Sequence, residues 1–288
     1  MENTNRVGKI ILAFSLPLAA IVIVTSCVGL LTPDFYFQET LNWQAQSLGQ
    51  DLVDLFLLVP CLLITAICAY RKSEIAITLW GGVIFYFVYT FLIYCFDVHF
   101  NSMFLLYCFA LGLSVFASLY FLHLQVKRQF GIHFEINKSV KVEVQSGMHF
   151  EINKSVKVIG IYFIIVAVAF YFLWLSEIIP AIIHHYTPKS LSEVGLPTNA
   201  VHVIDLSVFL PGLFIVGISM LRKNKSALFL APVLLTFFVL MDITIGALIV
   251  VMKKMAMGND LTIAWAMAVL ALISLLFLIW FFKGSRKT

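Results

Sequence analysis

The sequence predicts an all-α, polytopic membrane protein built as a bundle of eight transmembrane helices. The first observation is the composition: 61% of the 288 residues are hydrophobic and 12% are charged, with a mean hydropathy of +1.00. Soluble domains carry about 45–50% apolar and roughly 25% charged residues. A water-soluble chain of this composition could not cover its surface with polar groups. The second observation is a recurrence of long apolar runs, and the third is an uneven distribution of positive charge.

The apolar runs define the predicted spans. A helix rises about 1.5 Å per residue, so about twenty residues cross a ~30 Å hydrocarbon core. Runs of this length are Ile10–Leu31, Leu52–Tyr70, Ile77–Phe96, Met103–Leu124, Val158–Ile183, Val203–Leu221, Ala227–Val251 and Leu261–Phe282.

Positive charges predict the orientation of the spans, because lysine and arginine resist translocation across the membrane. With the N-terminus inside, only three of the 19 lysines and arginines fall in outer segments: Lys189, Lys253 and Lys254. We therefore expect a multi-pass protein of the inner (plasma) membrane with both termini cytoplasmic. The net charge of +4 then serves insertion into the lipid bilayer, and nucleic acid is not an expected partner.

The first span has a second interpretation. Residues Val24–Cys27 resemble a lipoprotein cleavage box that follows basic residues and an apolar run. Cleavage there would leave a lipidated Cys27 and seven spans, whereas an uncleaved first helix leaves eight. The length of the first run favours the uncleaved helix.

Cysteines and cofactor motifs indicate no metal and no cofactor. All five cysteines lie in apolar spans and none forms a Cys-x-x-Cys pair, which favours buried thiols over disulfides or a metal site. The sequence contains no Walker loop, dinucleotide fingerprint, Gly-x-Ser-x-Gly elbow or His-Glu-x-x-His.

A conspicuous repeat lies in the longest connector, 125–157. Residues 131–142 recur as 147–158 with one difference, Ile132 against Met148. Alternating valines and a Ser-Gly pair suggest a short hairpin there. It is either a basic docking segment for a partner or anionic lipid, or a tolerated insertion, which loops accept at little cost.

A weaker repeat predicts the architecture. Segments 51–72 and 202–223 align without a gap at an offset of 151 residues. The matching positions are Asp54-Leu55 with Asp205-Leu206, Pro60 with Pro211, and Arg71-Lys72 with Arg222-Lys223. They predict two four-helix halves, 1–124 and 158–288, joined by the cytoplasmic linker 125–157. Because four is even, the halves would be parallel repeats, as in some transporters.

Ionisable residues in or near the spans are the candidate functional residues, because a carboxylate at bilayer depth costs about 2.5–3.5 kcal/mol on insertion scales. The candidates for a substrate or ion pathway are Asp242, Glu177, Asp54, Asp205, His202 and Asp51. The predicted orientation places them all in the outer half of the membrane. There they could form one acidic, histidine-containing cavity arranged symmetrically around Asp54 and Asp205.

A structural explanation exists for two of these acids. Asp54 and Asp205 open predicted helices, where a carboxylate accepts hydrogen bonds from free amides and favours the positive end of the helix dipole. This explanation does not extend to Asp242, which lies deep in the seventh span. A functional role or a bond between helices is expected for Asp242.

The stretches LWGGVIFYFVYTFLIYCFDVHFN (79–101) and GLPTNAVHVIDLSVFLP (195–211) resemble a family of bacterial and archaeal multi-pass membrane proteins. The resemblance covers most of the chain apart from 131–158. It implies a prokaryotic inner membrane and implies no particular activity.

Three functions are compatible with the sequence. In the first, the chain is a small ion- or proton-coupled transporter, which predicts that Asp242 faces a central cavity between the halves. In the second, it is a membrane-embedded enzyme with an extracytoplasmic acid/His site, which predicts that His202 converges with at least two carboxylates. In the third, it is a scaffold or accessory subunit whose acids are individually satisfied. No motif specifies a reaction, which disfavours the enzyme.

Overall fold

The computed structural model describes residues 4–130, 154–255 and 260–285. In that part of the chain all regular structure is helical, and eight helices are long and apolar enough to cross a membrane. They are α1 (Thr4–Leu31), α2 (Leu41–Tyr70), α3 (Glu74–Asp97), α4 (Phe104–Phe130), α5 (Lys154–His184), α6 (Ala200–Leu221), α7 (Leu230–Lys254) and α8 (Thr262–Ser285). Two short helices, Lys189–Val194 and Lys225–Leu228, precede α6 and α7. The predicted all-α polytopic bundle is therefore confirmed.

Helix α2 begins earlier than the sequence predicted, at Leu41 rather than Leu52. Thr40 caps it, because its side-chain oxygen accepts a hydrogen bond from the backbone N–H of Trp43 at 3.3 Å. The first turns of α2 carry Asn, Gln and Ser side chains that line an internal cavity. Hydropathy alone cannot separate such residues from a loop, so the predicted span began after them.

The helices pack in sequential pairs: α1 on α2, α3 on α4, α5 on α6 and α7 on α8. Helices α3 and α7 also contact each other, and α7 packs along α2. In its most apolar 18-residue stretch, α3 is 72% buried, against 17% for α8. Helix α3 is thus at the centre of the bundle and α8 at its periphery.

Two glycines bring α5 and α6 into backbone contact. A Cβ atom on Gly217 would lie 2.8 Å from the carbonyl oxygen of Gly160, and one on Gly160 would lie 3.0 Å from that of Gly217. Both positions therefore require the absence of a side chain, as is common where membrane helices meet.

Helices α2 and α6 each contain a π-helical segment, Asp54–Leu58 and Asp205–Phe209. In each, the N–H after the segment donates to the carbonyl of the aspartate five positions earlier, from Val59 in α2 and Leu210 in α6. The next residue is a proline, which lacks the N–H needed to continue the helical ladder. The two segments are 151 positions apart, which is the offset of the predicted repeat.

The C-terminal ends of α2 and α6 also match. Lys72 and Lys223 have left-handed backbones, with φ of 69° and 60°. The next N–H donates back into the helix, from Ser73 to the carbonyl of Cys68 at 3.1 Å and from Asn224 to that of Ser219 at 2.9 Å. Both ends are Schellman caps. These matches support the half-duplication, which remains a prediction.

One end of the bundle is marked by basic residues. The turns carrying Arg71–Lys72 and Arg222–Lys223 define the basic end, and the connections 32–40, 98–103 and 185–199 define the opposite end. Residues 131–153, which contain the predicted hairpin and all but the last five residues of the duplicated segment 131–158, lie outside the described residues. The flanks of the predicted linker are helical, because α4 continues to Phe130 and α5 begins at Lys154.

Candidate functional site

A cavity of about 530 Å³ lies inside the bundle. Residues of α2, α3 and α5 to α8 line it, together with residues of the short helix Lys189–Val194. It extends from Asn42 and Asn199 at the opposite end to Tyr162 and Phe238 near mid-depth. It lies between α6 and α7, which make little contact with each other. The corresponding helices of the predicted first half, α2 and α3, pack closely together. The cavity volume falls within the roughly 300–1,000 Å³ typical of small-molecule sites.

Asp242 is the central residue of the 25-residue helix α7 and lines this cavity. Its side chain is buried, with 5% relative exposure for the residue, and its Oδ2 atom is buried without a hydrogen-bond partner. An unpaired buried carboxylate is strongly unfavourable in its charged form. A proton, a cation or a ligand donor at Oδ2 would relieve that cost, because no protein donor reaches this acceptor at the centre of α7.

Asp205 lines the same cavity and is fully hydrogen-bonded. Its Oδ1 accepts from the Tyr89 hydroxyl at 3.1 Å, and its Oδ2 accepts from the Trp174 indole N–H at 2.9 Å. The three residues connect α6 to α3 and α5. The His202 ring lies against Trp174, with 4.5 Å between ring centroids. His202 is therefore part of the cavity wall beside Asp205.

The π segment of α6 is tied to α5 through a backbone carbonyl. Pro211 cannot donate to the preceding turn, which leaves a carbonyl without its usual helical partner. The carbonyl of Leu206 instead accepts a hydrogen bond from the Tyr171 hydroxyl at 3.3 Å. This contact satisfies the interrupted helix on the side that faces α5.

Asp54, the counterpart of Asp205, does not line the cavity. Its Oδ1 accepts a hydrogen bond from the Gln50 amide at 2.8 Å, one turn earlier in α2. The same amide donates to the Tyr86 hydroxyl at 3.3 Å, which donates to Thr244 Oγ1 at 2.7 Å. Asp54 is thus buried behind a polar network that joins α2, α3 and α7.

Asp51 is buried in a separate cluster of tyrosines. Its Oδ2 accepts from the Tyr36 hydroxyl at 2.8 Å and its Oδ1 from the Tyr94 hydroxyl at 2.9 Å. Burial and the neighbouring Asp51 carboxylate raise the pKa of Tyr36 above its ordinary value, which keeps its hydroxyl a donor. A Cβ atom on Gly29 would overlap Asp51 Oδ2 and approach the Tyr36 hydroxyl to 2.8 Å. The space around Asp51 therefore requires glycine at position 29.

Glu177 stabilises the connection between α5 and α6 and does not line the cavity. Its Oε1 accepts a hydrogen bond from the backbone N–H of Ser190 at 2.8 Å, at the start of the short helix Lys189–Val194. Glu177 is not among the described residues that line the cavity. Its contact fixes the connection between α5 and α6 at the opposite end.

Further polar contacts connect the helices at the opposite end. Asp97 Oδ2 accepts from the backbone N–H of Ala200 at 2.8 Å, at the start of α6, and the Asp97 carbonyl accepts from the Trp43 indole at 2.8 Å. Nearby, His99 Nδ1 lies 2.9 Å from Glu39 Oε2. The two Asp97 contacts link α2, α3 and α6 at the opposite end.

The capping explanation for Asp54 and Asp205 is wrong. Helix α2 begins 13 residues before Asp54, and a five-residue helical segment precedes Asp205. Both carboxylates accept hydrogen bonds from side chains instead of from free amides of a first turn. The caps are Thr40 for α2 and Asn199 for α6, whose side chain accepts from the N–H of Val201 at 2.8 Å.

The structure therefore brings together three of the six predicted site residues. Asp205, His202 and Asp242 line one cavity, whereas Asp51, Asp54 and Glu177 lie outside its lining. The predicted symmetry of the site around Asp54 and Asp205 is not observed. Both acids begin equivalent π segments, but only the second faces the cavity.

Several residues of the cavity and of the polar network were not identified from the sequence. Gln50 lies one helical turn before Asp54, a spacing at which an amide and a carboxylate meet on a helix, and this signal could have identified it. Trp174 lies three residues before Glu177, but nothing in the sequence indicates that its indole reaches Asp205 on another helix. Such contacts depend on how α5 packs against α6.

Among the described residues, no three His, Cys, Asp or Glu side chains form a group that could hold a metal ion. The sequence and fold were also compared with known proteins. The chain matches no known protein family, no curated protein and no solved structure.

Proposed function

We propose that this integral membrane protein is a small ion- or proton-coupled transporter, with the cavity as its solute site and Asp242 as its coupling group. The observation that carries the proposal is the unpaired Oδ2 atom of Asp242, buried at the centre of α7 and facing the cavity. Ionisable groups inside membrane bundles commonly mark ion or substrate pathways. A carboxylate oxygen with no partner can take up a proton or cation without first breaking a protein contact.

The geometry required by the enzyme hypothesis is missing from the described residues. His202 rests on Trp174, and no group of three His, Cys, Asp or Glu side chains converges in that part of the chain. The scaffold hypothesis requires acids that are all satisfied and no cavity. It accounts for Asp54 and Glu177, which have partners, but not for Asp242 or the space beside it.

The difference in packing between the two predicted halves of the bundle supports movement of α5 and α6. Helix α2 packs along α3, but the cavity takes the corresponding space between α6 and α7. Helices α5 and α6 are held to each other by the Gly160–Gly217 contact. We propose that α5 and α6 move as a pair against α3 and α7, so that Asp242 is reached alternately from the two ends of the bundle.

We also propose an orientation for the protein in its membrane. Both termini and the basic end lie in the cytoplasm, in a prokaryotic inner membrane, and the cavity begins at the external face. The lysines and arginines that resist translocation support this orientation.

A proton-flux assay tests the proposal. The full chain is reconstituted into liposomes containing a pH-sensitive dye, and solutes are added as cationic, neutral and anionic probes under an imposed pH gradient. We expect at least one probe class to drive proton movement, and Asp242→Asn to abolish it. Asp260→Asn, the same change at an exposed carboxylate before α8, is the matched control and should transport normally. Probe-driven flux that persists in Asp242→Asn would refute the role of Asp242.

A further inference from the structure

The charges around the cavity select against anions. Asp205 and Asp242 are buried in its wall, while no lysine or arginine is found among its described lining residues. The one basic side chain in that lining, His202, lies against the Trp174 ring. An anion would meet buried carboxylates with no fixed cation to offset them, whereas a cation would find Asp242 Oδ2 unoccupied by any protein donor.

The walls of the cavity are largely aromatic and apolar. Its rings include Tyr162, Phe170, Trp174, Phe209, Phe237 and Phe238. Phe238 lies one helical turn before Asp242 on the same helix, and the Tyr162 ring packs on it with centroids 6.3 Å apart. The Tyr162 hydroxyl lies 2.8 Å from Ser274 Oγ, so it already has a hydrogen-bond partner. Aromatic faces attract cations that lie within about 6 Å of the ring centroid.

A divalent cation such as calcium or magnesium does not fit these surroundings. Calcium and magnesium require six or more oxygen ligands or retain their water, and the described residues offer no cluster of acidic or metal-binding side chains. An organic cation is weakly hydrated and carries its own apolar surface. That surface would be buried against the rings while the charge is balanced by a single carboxylate.

We infer that the solute of this cavity is a hydrophobic organic cation, with its charged centre between Asp242 and Phe238 and its apolar body along the aromatic wall. This inference rests on the proposed transport function and specifies its substrate class. A volume of about 530 Å³ accommodates an aromatic ammonium or phosphonium compound.

Tetraphenylphosphonium and tetraphenylborate provide a direct test, because they share size and shape and differ in the sign of their charge. Binding of each to the detergent-solubilised full chain is measured by equilibrium dialysis. Quenching of Trp174 and Trp43, which both line the cavity, provides a second readout. We expect saturable binding of the phosphonium and no binding of the borate at the same concentrations.

Substitutions locate the bound cation. Asp242→Asn should weaken phosphonium binding by about tenfold or more, because it removes the negative charge that attracts the cation at low dielectric. Asp242→Glu retains the charge and should bind far more tightly than the Asn variant, and Asp260→Asn should match the unaltered protein. Phe238→Leu retains apolar volume without a π face, and a weakening of about two- to fivefold is expected. Elution of each variant as a single symmetric peak in gel filtration verifies folding.

Equal binding of phosphonium and borate, or unaltered phosphonium binding in Asp242→Asn, would overturn the inference. The results that would contradict transport differ from those that would contradict the substrate class. If a neutral or anionic solute drives proton flux that depends on Asp242, the protein is still a transporter, but organic cations are not its substrates. If phosphonium binds through Asp242 and no probe drives flux, the site is correct and the transport function is wrong.

Discussion

Asp54 and Asp205 are equivalent in backbone and different in environment. Each is the first residue of a π-helical segment, and each is followed six positions later by a proline. Asp54 is bound by Gln50 of its own helix, whereas Asp205 is bound by Tyr89 and Trp174 of two other helices. The same π-helical segment thus places Asp54 in a buried hydrogen-bond network and Asp205 in the wall of the cavity. The predicted duplication of a four-helix half, with different roles for the two copies, would produce this arrangement.

Tyr89→Phe tests how firmly Asp205 is held. The change removes the hydroxyl that donates to Asp205 Oδ1 and leaves that buried oxygen without this donor. We expect a loss of stability of about 1–3 kcal/mol, which is the usual cost of an unsatisfied buried group. The measurement is thermal unfolding in detergent, followed by tryptophan fluorescence.

Tyr70→Phe is the matched control for that change. Tyr70 is 45% exposed at the basic end of α2, so the same substitution there should leave the unfolding midpoint almost unaltered. Equal midpoints for the Tyr89→Phe variant and the unaltered protein would mean that the hydroxyl of Tyr89 does not support Asp205.

Gly29→Ala tests the packing around Asp51. The added methyl group would overlap Asp51 Oδ2 and crowd the Tyr36 hydroxyl, so the tyrosine–aspartate cluster must shift. Overpacking of this kind typically costs about 1–3 kcal/mol. The thermal unfolding midpoint should fall accordingly.

Gly112→Ala offers the comparison in another helix. A Cβ atom on Gly112 would meet no atom within 4 Å, so alanine should be neutral or slightly stabilising there. If both alanine variants unfold at the same temperature as the unaltered protein, Gly29 is not close to Asp51.

Most of the fold could be predicted from the sequence, because a spanning helix needs an apolar run of fixed length and little else. The turns after Tyr70 and Leu221 were also predictable, since Arg-Lys pairs interrupt the apolar pattern there. The start of α2 was not, because its polar residues face a cavity instead of water or lipid. One-dimensional hydropathy does not distinguish these three surroundings.

The site was predictable only in part. Asp242 was identifiable because no charged residue near it in sequence could neutralise it. That its Oδ2 atom has no partner depends on side chains from other helices and could not be predicted. The π segments were likewise hidden, although Pro60 and Pro211 marked where the helical ladder breaks.

Cysteine labelling tests the predicted orientation. Ser192→Cys places a thiol at the opposite end and Arg222→Cys places one at the basic end, both at exposed positions. A membrane-impermeant maleimide added to intact cells should label the first variant, and should label the second only after the cells are permeabilised. The protein with its native cysteines alone is the control. The reverse pattern would place the basic end outside and contradict the topology.

Modification by a hydrophobic carbodiimide tests most directly the claim that Asp242 has an unpaired carboxyl oxygen in an accessible cavity. Such reagents react with protonated carboxyl groups inside the membrane, and mass spectrometry identifies the modified residues. We predict an adduct on Asp242 and none on Asp54, which Gln50 covers. An unmodified Asp242 in a sample where Asp54 reacts would contradict the account.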